Sequence, residues 1–262
     1  MRSVRRMPAL FVGHGSPMNA IEDSAFRRGW QAIAHALPRP DTILCVSAHW
    51  ETSDLRVTTS PWPGTIHDFF GFPAALSAVR YPAPGSSELT AEVEKLLSQG
   101  GETVRPDPER GLDHGAWSVL RAMYPDADVP VAQLSLNARR PPAWHGSLGR
   151  RLAPLRNRGV LLLGSGNIVH NLAAIDVRRK DGYDWAIRFD SEIARRLRDD
   201  DRDGLFRYRE LGPDADRAVP TPEHYLPMLY AAAAREPGEP VDFFNQVVIG
   251  GSISMRSFVV GS

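Results

Sequence analysis

The chain has 262 residues, with 31 basic and 31 acidic side chains and a formal net charge of zero. That balance argues against a nucleic-acid partner, because no excess positive charge is present to hold a phosphate backbone. A single cysteine, Cys45, permits neither an internal disulfide nor a Cys-rich zinc site, and no apolar run reaches the ~18 residues of a membrane span.

In chain order, short apolar runs alternate with helix-like stretches. Ala9 to Val12 reads as a first strand rather than a signal peptide, since Gly-His-Gly-Ser-Pro interrupts the apolar stretch. Ser24 to Leu37 has helical spacing and stops at Pro38, and Thr42 to Ala48 suits a buried strand. Leu55 to Thr59 reads as a strand, Ser86 to Ser98 as a helix closed by Gly100-Gly101, and Trp117 to Met123 as a short helix. Val129 to Leu136 is a predicted strand, Pro142 to Arg156 a helix, Val160 to Leu163 a very apolar strand, and Trp185 to Arg198 a strong helix. Asp199 to Asp216, the most charged segment, reads as a solvated surface loop. Thr221 to Ala234 opens with a Thr cap and Pro222, and Phe243 to Ile249 with Ser252 to Val260 reads as a closing pair of strands around Gly250-Gly251.

This alternation implies an α/β fold, a single domain over residues 1–262, with a central mostly parallel sheet flanked by helices on both faces. The cysteine usage fits a reducing, cytoplasmic setting, and monomer and homodimer are both compatible with the sequence.

The placement of the eight histidines carries the chemistry. His14 follows the strand ALFVG, His49 ends TILCVSAH, and His170 comes shortly after VLLLGSGN. Ligands of open α/β sheets bind beyond the carboxyl ends of the strands, so these three histidines are expected at one edge. Imidazole is the commonest side-chain ligand for zinc and iron, and Gly, Ser and Asn beside each histidine allow close backbone approach. His114 and His224 each sit beside an acid, Asp113 and Glu223. His35 and His145 fall on predicted helices and read as surface residues, and Cys45 reads as inert packing. The turns Gly13-His14-Gly15-Ser16 and Gly164-Ser165-Gly166-Asn167 leave a metal-free anion-binding module as a minor alternative. The residues alone imply a His-rich metal enzyme.

Eight motifs add a resemblance: PALFVGHGSPMNA, VSAHW, TIHDFFGFP, YPAPGS, LDHGAW, YPDADVPVAQLS, GSGNIVHNL and PTPEHYLPMLY, in this order from Pro8 to Tyr230. Together they closely resemble the 4,5-DOPA extradiol dioxygenase family, within the class III extradiol ring-cleavage dioxygenases. The resemblance implies a metal-dependent enzyme that opens a catechol (DOPA-like) ring with O2. It places His14, His49 and His170 at the metal, with His224 at or next to it as a fourth ligand, and His114 as the acid/base. It implies Fe(II) for activity, whereas an all-histidine site also suits Zn(II) in the purified protein. Asp113 is expected to orient His114. His67, Ser16, Asn167, Tyr225 and Trp117 are candidate substrate contacts, with Phe69 and Phe70 as further walls for the ring. The alternative from another class is a non-oxygenase zinc-binding protein, or a zinc hydrolase, of the same fold.

Overall fold

The computed structural model describes residues 6–137 and 139–261. Its elements are β1 (Ala9–Gly13), α1 (Ala25–Ala36), β2 (Thr42–Thr52), β3 (Leu55–Thr58), α2 (Ala74–Ser77), α3 (Ser87–Ser98), β4 (Val104–Asp107), α4 (His114–Met123), β5 (Val131–Asn137), α5 (Pro142–Leu152), β6 (Val160–Gly166), α6 (Asp184–Arg198), α7 (Arg202–Phe206), α8 (Pro213–Ala218), α9 (Leu226–Ala233), β7 (Val241–Phe244), β8 (Val248–Ile249), β9 (Ile253–Ser254) and β10 (Ser257–Val260). Eight of the strands form one sheet in the order β4-β3-β5-β2-β6-β1-β10-β7, and β8 and β9 form a separate hairpin. The inner run β5-β2-β6-β1 is parallel, and β10 and β7 extend it antiparallel. The apolar runs of β1 and β6 are buried along their whole length, as expected of central strands covered on both faces. One face packs Trp30 of α1 and Trp117 and Leu120 of α4, and the other packs Leu89, Leu148, Phe189 and Leu229 from α3, α5, α6 and α9. This is the α/β sandwich the sequence implied. Among the described residues, no helix is long and apolar enough to cross a membrane.

Several expectations change in detail. Asp199 to Asp216 is not a loop: it holds α7 and most of α8, with Leu205, Tyr208 and Ala215 buried against the core. The dense charge conceals those three inward-facing residues, and Asp201 caps α7 by accepting from the Gly204 N–H. The helix expected from Thr221 is regular only over Leu226–Ala233. The Thr221 hydroxyl donates to Glu223 instead of capping, so residues 221–225 form a turn. The closing pair becomes two ladders, β8 with β9 around Gly250-Gly251 and β7 with β10. The helix expected from Trp117 begins three residues earlier, at His114, because the Asp113 carboxylate accepts from the Ala116 N–H and caps it. The edge strand β4 is too short and polar to carry a strand pattern of its own. His145 is buried, not on the surface: α5 turns it inward, where its Nδ1 meets the Tyr230 hydroxyl at 3.0 Å. His35 is exposed and Cys45 is buried, and burial pushes the Cys45 thiol pKa up.

The sheet sets the position of the site. β2, β6 and β1 lie side by side and parallel, with Ser47 opposite Ser165 and Gly13 opposite Gly166. Their carboxyl ends therefore reach one edge together. The chain comes back over that edge at His224, whose carbonyl accepts from the Asn167 N–H at 2.8 Å. A Cβ at Gly166 would stand 2.1 Å from that carbonyl oxygen, a backbone atom that cannot swing away. Gly166→Ala is expected to cost roughly 1–3 kcal/mol. Thermal unfolding should show this as a drop of roughly 2–4 °C per kcal/mol. Gly64→Ala, where nothing lies within 4 Å of the added carbon, should unfold like the parent.

Candidate metal centre

Each strand delivers its histidine by a different local device. His14 leaves β1 directly after Gly13, where an added Cβ would strike the Met255 backbone at 2.8 Å, so only glycine lets the turn close. His49 lies inside β2, where the register against β5 shifts between Val46 and Glu51. Such irregularities re-aim side chains near functional sites. His114 is the first residue of α4, fixed by the fully buried Asp113 cap. Gly115 then brings that turn against β2, with Ser47 Oγ and His49 Cδ2 at 2.4 and 2.9 Å from where a Cβ would be.

The rings converge. Ring centroids lie 5.0 Å apart for His14–His49, 5.3 Å for His14–His224, 5.0 Å for His49–His224 and 3.9 Å for His49–His114. His170 stacks flat on His224 at 3.4 Å. Ligating atoms of His14, His49 and His224 fall within 4.8 Å of one another, as do those of His49, Asp68 and His114, and those of His170, Glu223 and His224.

Hydrogen bonds fix the tautomers. Ser165 Oγ donates to the Gly115 carbonyl at 2.6 Å, so it accepts from His14 Nδ1–H at 3.0 Å. The Glu223 carboxylate accepts from His224 Nδ1–H at 3.0 Å, and an Asp68 oxygen lies 3.5 Å from His49 Nδ1. With Nδ1 protonated, His14 and His224 carry a lone pair on Nε2, and the Asp68 carboxylate near His49 Nδ1 favours the same form there. His14 Nε2 and His49 Nε2 face each other at 3.2 Å, and His224 Nε2 is buried without a partner. Two lone pairs at that separation, beside an orphaned third, form a poor hydrogen-bond arrangement and a good donor set for a cation. Outer nitrogens held by hydroxyl and carboxylate groups are the usual support of metal-binding imidazoles.

Electrostatics point the same way. Burial, then the neighbouring imidazoles, hold His14 and His224 well below the ordinary histidine pKa. Burial also takes His49 and His170 from 6.5 to about 4. The rings are therefore neutral at physiological pH, the form that binds a metal. Burial works to raise Asp68, but the hydrogen bonds from His114 outweigh it and hold the carboxyl at about 2.

The remaining candidates divide. His114 Nδ1 lies 2.9 Å from Asp68 Oδ1, so the acid that orients it is Asp68 and not Asp113. Asp113 points into the core, where Ser47, Gln133 and Arg110 donate to it. Phe69 stands edge-on to His114 at 5.7 Å and packs on Trp117 and His67. His67 Nε2 lies 3.0 Å from the Val79 carbonyl and ties its loop down. Asn167 Nδ2 donates to the Ser254 carbonyl, which fixes the backbone beneath His224. Ser16 turns outward and caps a short 3-10 turn by accepting from the Met18 N–H. Tyr225 lies away from the cluster: its ring packs on Tyr208 and Phe189, and its hydroxyl donates to the Leu205 carbonyl. Phe70 points to solvent, 95% exposed. Ser165 and Asp68 were missed as site residues, although the sequence HDF and the turn GSG held them in view.

Comparison with known proteins bears on the chemistry. Residues 8–249 match the family described as the catalytic LigB subunit of aromatic ring-opening dioxygenase. The chain belongs to that family. Among similar proteins, a 4,5-DOPA dioxygenase extradiol of Escherichia coli K12 is 44% identical over 264 residues, covering 99% of this chain and 96% of that protein. A protein of the same name from Beta vulgaris is 38% identical over 253 residues, covering 95% and 94%. The crystal structure of an uncharacterized Escherichia coli K12 protein matches with a TM-score of 0.86 and 40% identity, over 98% of this chain and all of that one. The chain is thus an extradiol-type aromatic ring-opening dioxygenase.

The buried neutral rings give the LigB fold an acid-sensitive stability. His49, His145 and His170 titrate at about 4 when folded and near 6.5 when not. The folded state thus binds fewer protons between those values, so stability falls as pH drops from 6.5 and the loss levels off below 4. Asp68, lowered to about 2, adds stability present above 3.8 and lost as pH falls through 2. The metal-free protein should show a thermal midpoint that declines continuously from pH 6.5 to 4. A flat profile in that window would mean the rings are not held neutral.

Proposed function

We propose that the chain opens the ring of a catechol bearing a DOPA-like side chain, using O2 and a metal held at the histidine cluster. The observation that carries this reading is the inward convergence of the His14, His49 and His224 ring nitrogens within 4.8 Å. His14, His49 and His224 hold the metal, and His170, stacked on His224, completes a four-imidazole set. Bound there, the metal supplies Lewis acidity toward the catechol hydroxyls and, as Fe(II), the redox change that Zn(II) lacks.

The chain's own residues do the rest. Ser165 and Glu223 keep Nδ1 of His14 and His224 as donors, so Nε2 faces inward. His114 Nδ1–H is taken by Asp68, which leaves His114 Nε2 to accept the second hydroxyl proton and return it later in the cycle. Phe69, backed by Trp117, offers an aromatic wall beside His114 and excludes water from it. The names of the similar Escherichia coli and Beta vulgaris proteins support the DOPA-like side chain.

Anaerobic reconstitution with Fe(II), followed by O2 uptake and visible spectra with L-DOPA and a catechol panel, tests the reading. Stoichiometric O2 use with a yellow ring-opened product is expected under Fe(II) and none under Zn(II). A bound metal with no uptake from any catechol would favour a zinc-binding protein or hydrolase. His114→Ala should keep the metal and lose roughly 10²–10⁴-fold in kcat. Ser165→Ala should weaken metal affinity by about 10–100-fold, because the His14 ring loses its acceptor. Titration with Zn(II) reads this directly.

A further inference from the structure

Asp68 lies on the loop between β3 and α2, outside every element that supplies a histidine, yet its carboxylate touches two of the rings. Oδ1 accepts from His114 Nδ1–H at 2.9 Å and from the His114 backbone N–H at 3.0 Å. Oδ2 lies 3.5 Å from His49 Nδ1. The two rings so joined lie 3.9 Å apart, closer than either lies to His14. The loop is fastened where it carries this carboxylate. Leu112 N–H donates to the Gly64 carbonyl at 2.7 Å, Ile66 N–H to the Leu112 carbonyl at 2.8 Å, and Trp117 Nε1–H to the Ile66 carbonyl at 2.7 Å.

From this geometry we infer that Asp68 is a positioning residue, whose carboxylate holds His114 in the Nδ1–H tautomer and fixes it against the metal-binding His49. An ionised carboxylate only accepts hydrogen bonds, so it selects the ring form with the lone pair on Nε2. That form alone can take a proton from a substrate hydroxyl at Nε2. The bond to the His114 backbone N–H keeps the carboxylate in register with the first turn of α4, so ring and acceptor move as one unit. His49 shares the carboxylate, so the spacing between base and metal is set by one side chain. This inference rests on the proposed role of His114 and adds the residue that makes it competent.

Asp68→Asn and Asp68→Glu test it, each compared with the parent by circular dichroism to confirm folding. Asn is nearly isosteric, but its amide nitrogen donates where Oδ1 or Oδ2 accepted. In Zn(II)-loaded, 15N-histidine-labelled protein, the parent should show several Nδ1–H rings, the one belonging to His114 being assigned by its absence in His114→Ala. In Asp68→Asn that signal should move to the Nε2–H or mixed form while Zn(II) stoichiometry is kept. With Fe(II) and L-DOPA, kcat should fall roughly 10²–10⁴-fold, as expected for a base held in the wrong tautomer. KM should move less than about threefold, and Asp68→Glu should recover part of kcat. An unchanged His114 signal in Asp68→Asn, or kcat within about threefold of the parent, would overturn the inference. Loss of Zn(II) together with kcat would also overturn it, assigning Asp68 to metal retention through His49. If no catechol is turned over by the parent itself, the dioxygenase reading fails, and the tautomer measurement still decides the role of Asp68.

Discussion

Three inward imidazole nitrogens meet at this sheet edge, and at most one hydrogen bond can form among them. His14 and His224 commit the outer nitrogen to an acceptor, His49 turns its own toward Asp68 at 3.5 Å, and the inner nitrogens of His14 and His49 face each other at 3.2 Å. A protein tolerates such an arrangement only when the rest of the fold over-determines it. Much of the local structure does this. Ser165 spans His14 and the Gly115 carbonyl, Asn167 fixes the backbone at His224, and the glycines at 13, 115 and 166 remove side chains that would hold the segments apart.

The support comes from both layers of the sandwich. His14, His49 and Ser165 come from adjacent parallel strands, so their spacing is set by the sheet ladder and hardly deforms. His114 enters from α4 on one face and His224 from the turn before α9 on the other. The buried Asp113 serves this architecture: it caps α4 and gathers Ser47, Gln133 and Arg110, tying the helix start to β2 and β5. A carboxyl group so deep is stable because Ser47, Gln133, Arg110 and the Ala116 N–H all donate to it.

The layered fold and the strand-end histidines were legible because both follow from local pattern. Apolar runs of four to seven residues define central strands, and a histidine just past such a run lands at the carboxyl edge whatever the long-range packing. What was illegible depends on side-chain direction. Asp113 and Asp68 are both near a histidine in sequence, and the sequence neighbour is the wrong partner, because a helix cap points its carboxylate back along the helix axis. The burial of His145 and the separation of Tyr225 from the cluster were hidden for the same reason, since neighbours along a chain leave it in different directions. Within Asp199 to Asp216, three inward residues among charged ones are too few to outweigh the composition. The register shift beside His49 leaves no mark in composition at all.

The position of β1 in the sheet has a consequence for how the molecule is made. β1 is the first strand in the chain, yet its two neighbours are β6 and β10, with Ala9 facing Leu162 on one side and Val260 on the other. A ribosome adds about 5–20 residues per second, so the strand bearing His14 waits on the order of ten seconds or more before its last neighbour exists. Until β6 exists its apolar run has no neighbour in the sheet, and it stays an open edge until β10 arrives. The histidines that meet at the edge are likewise far apart along the chain, from His14 to His224. The histidine cluster is therefore complete only after His224 has been added, and among the described strands of the inner sheet β1 waits longest for its full set of neighbours.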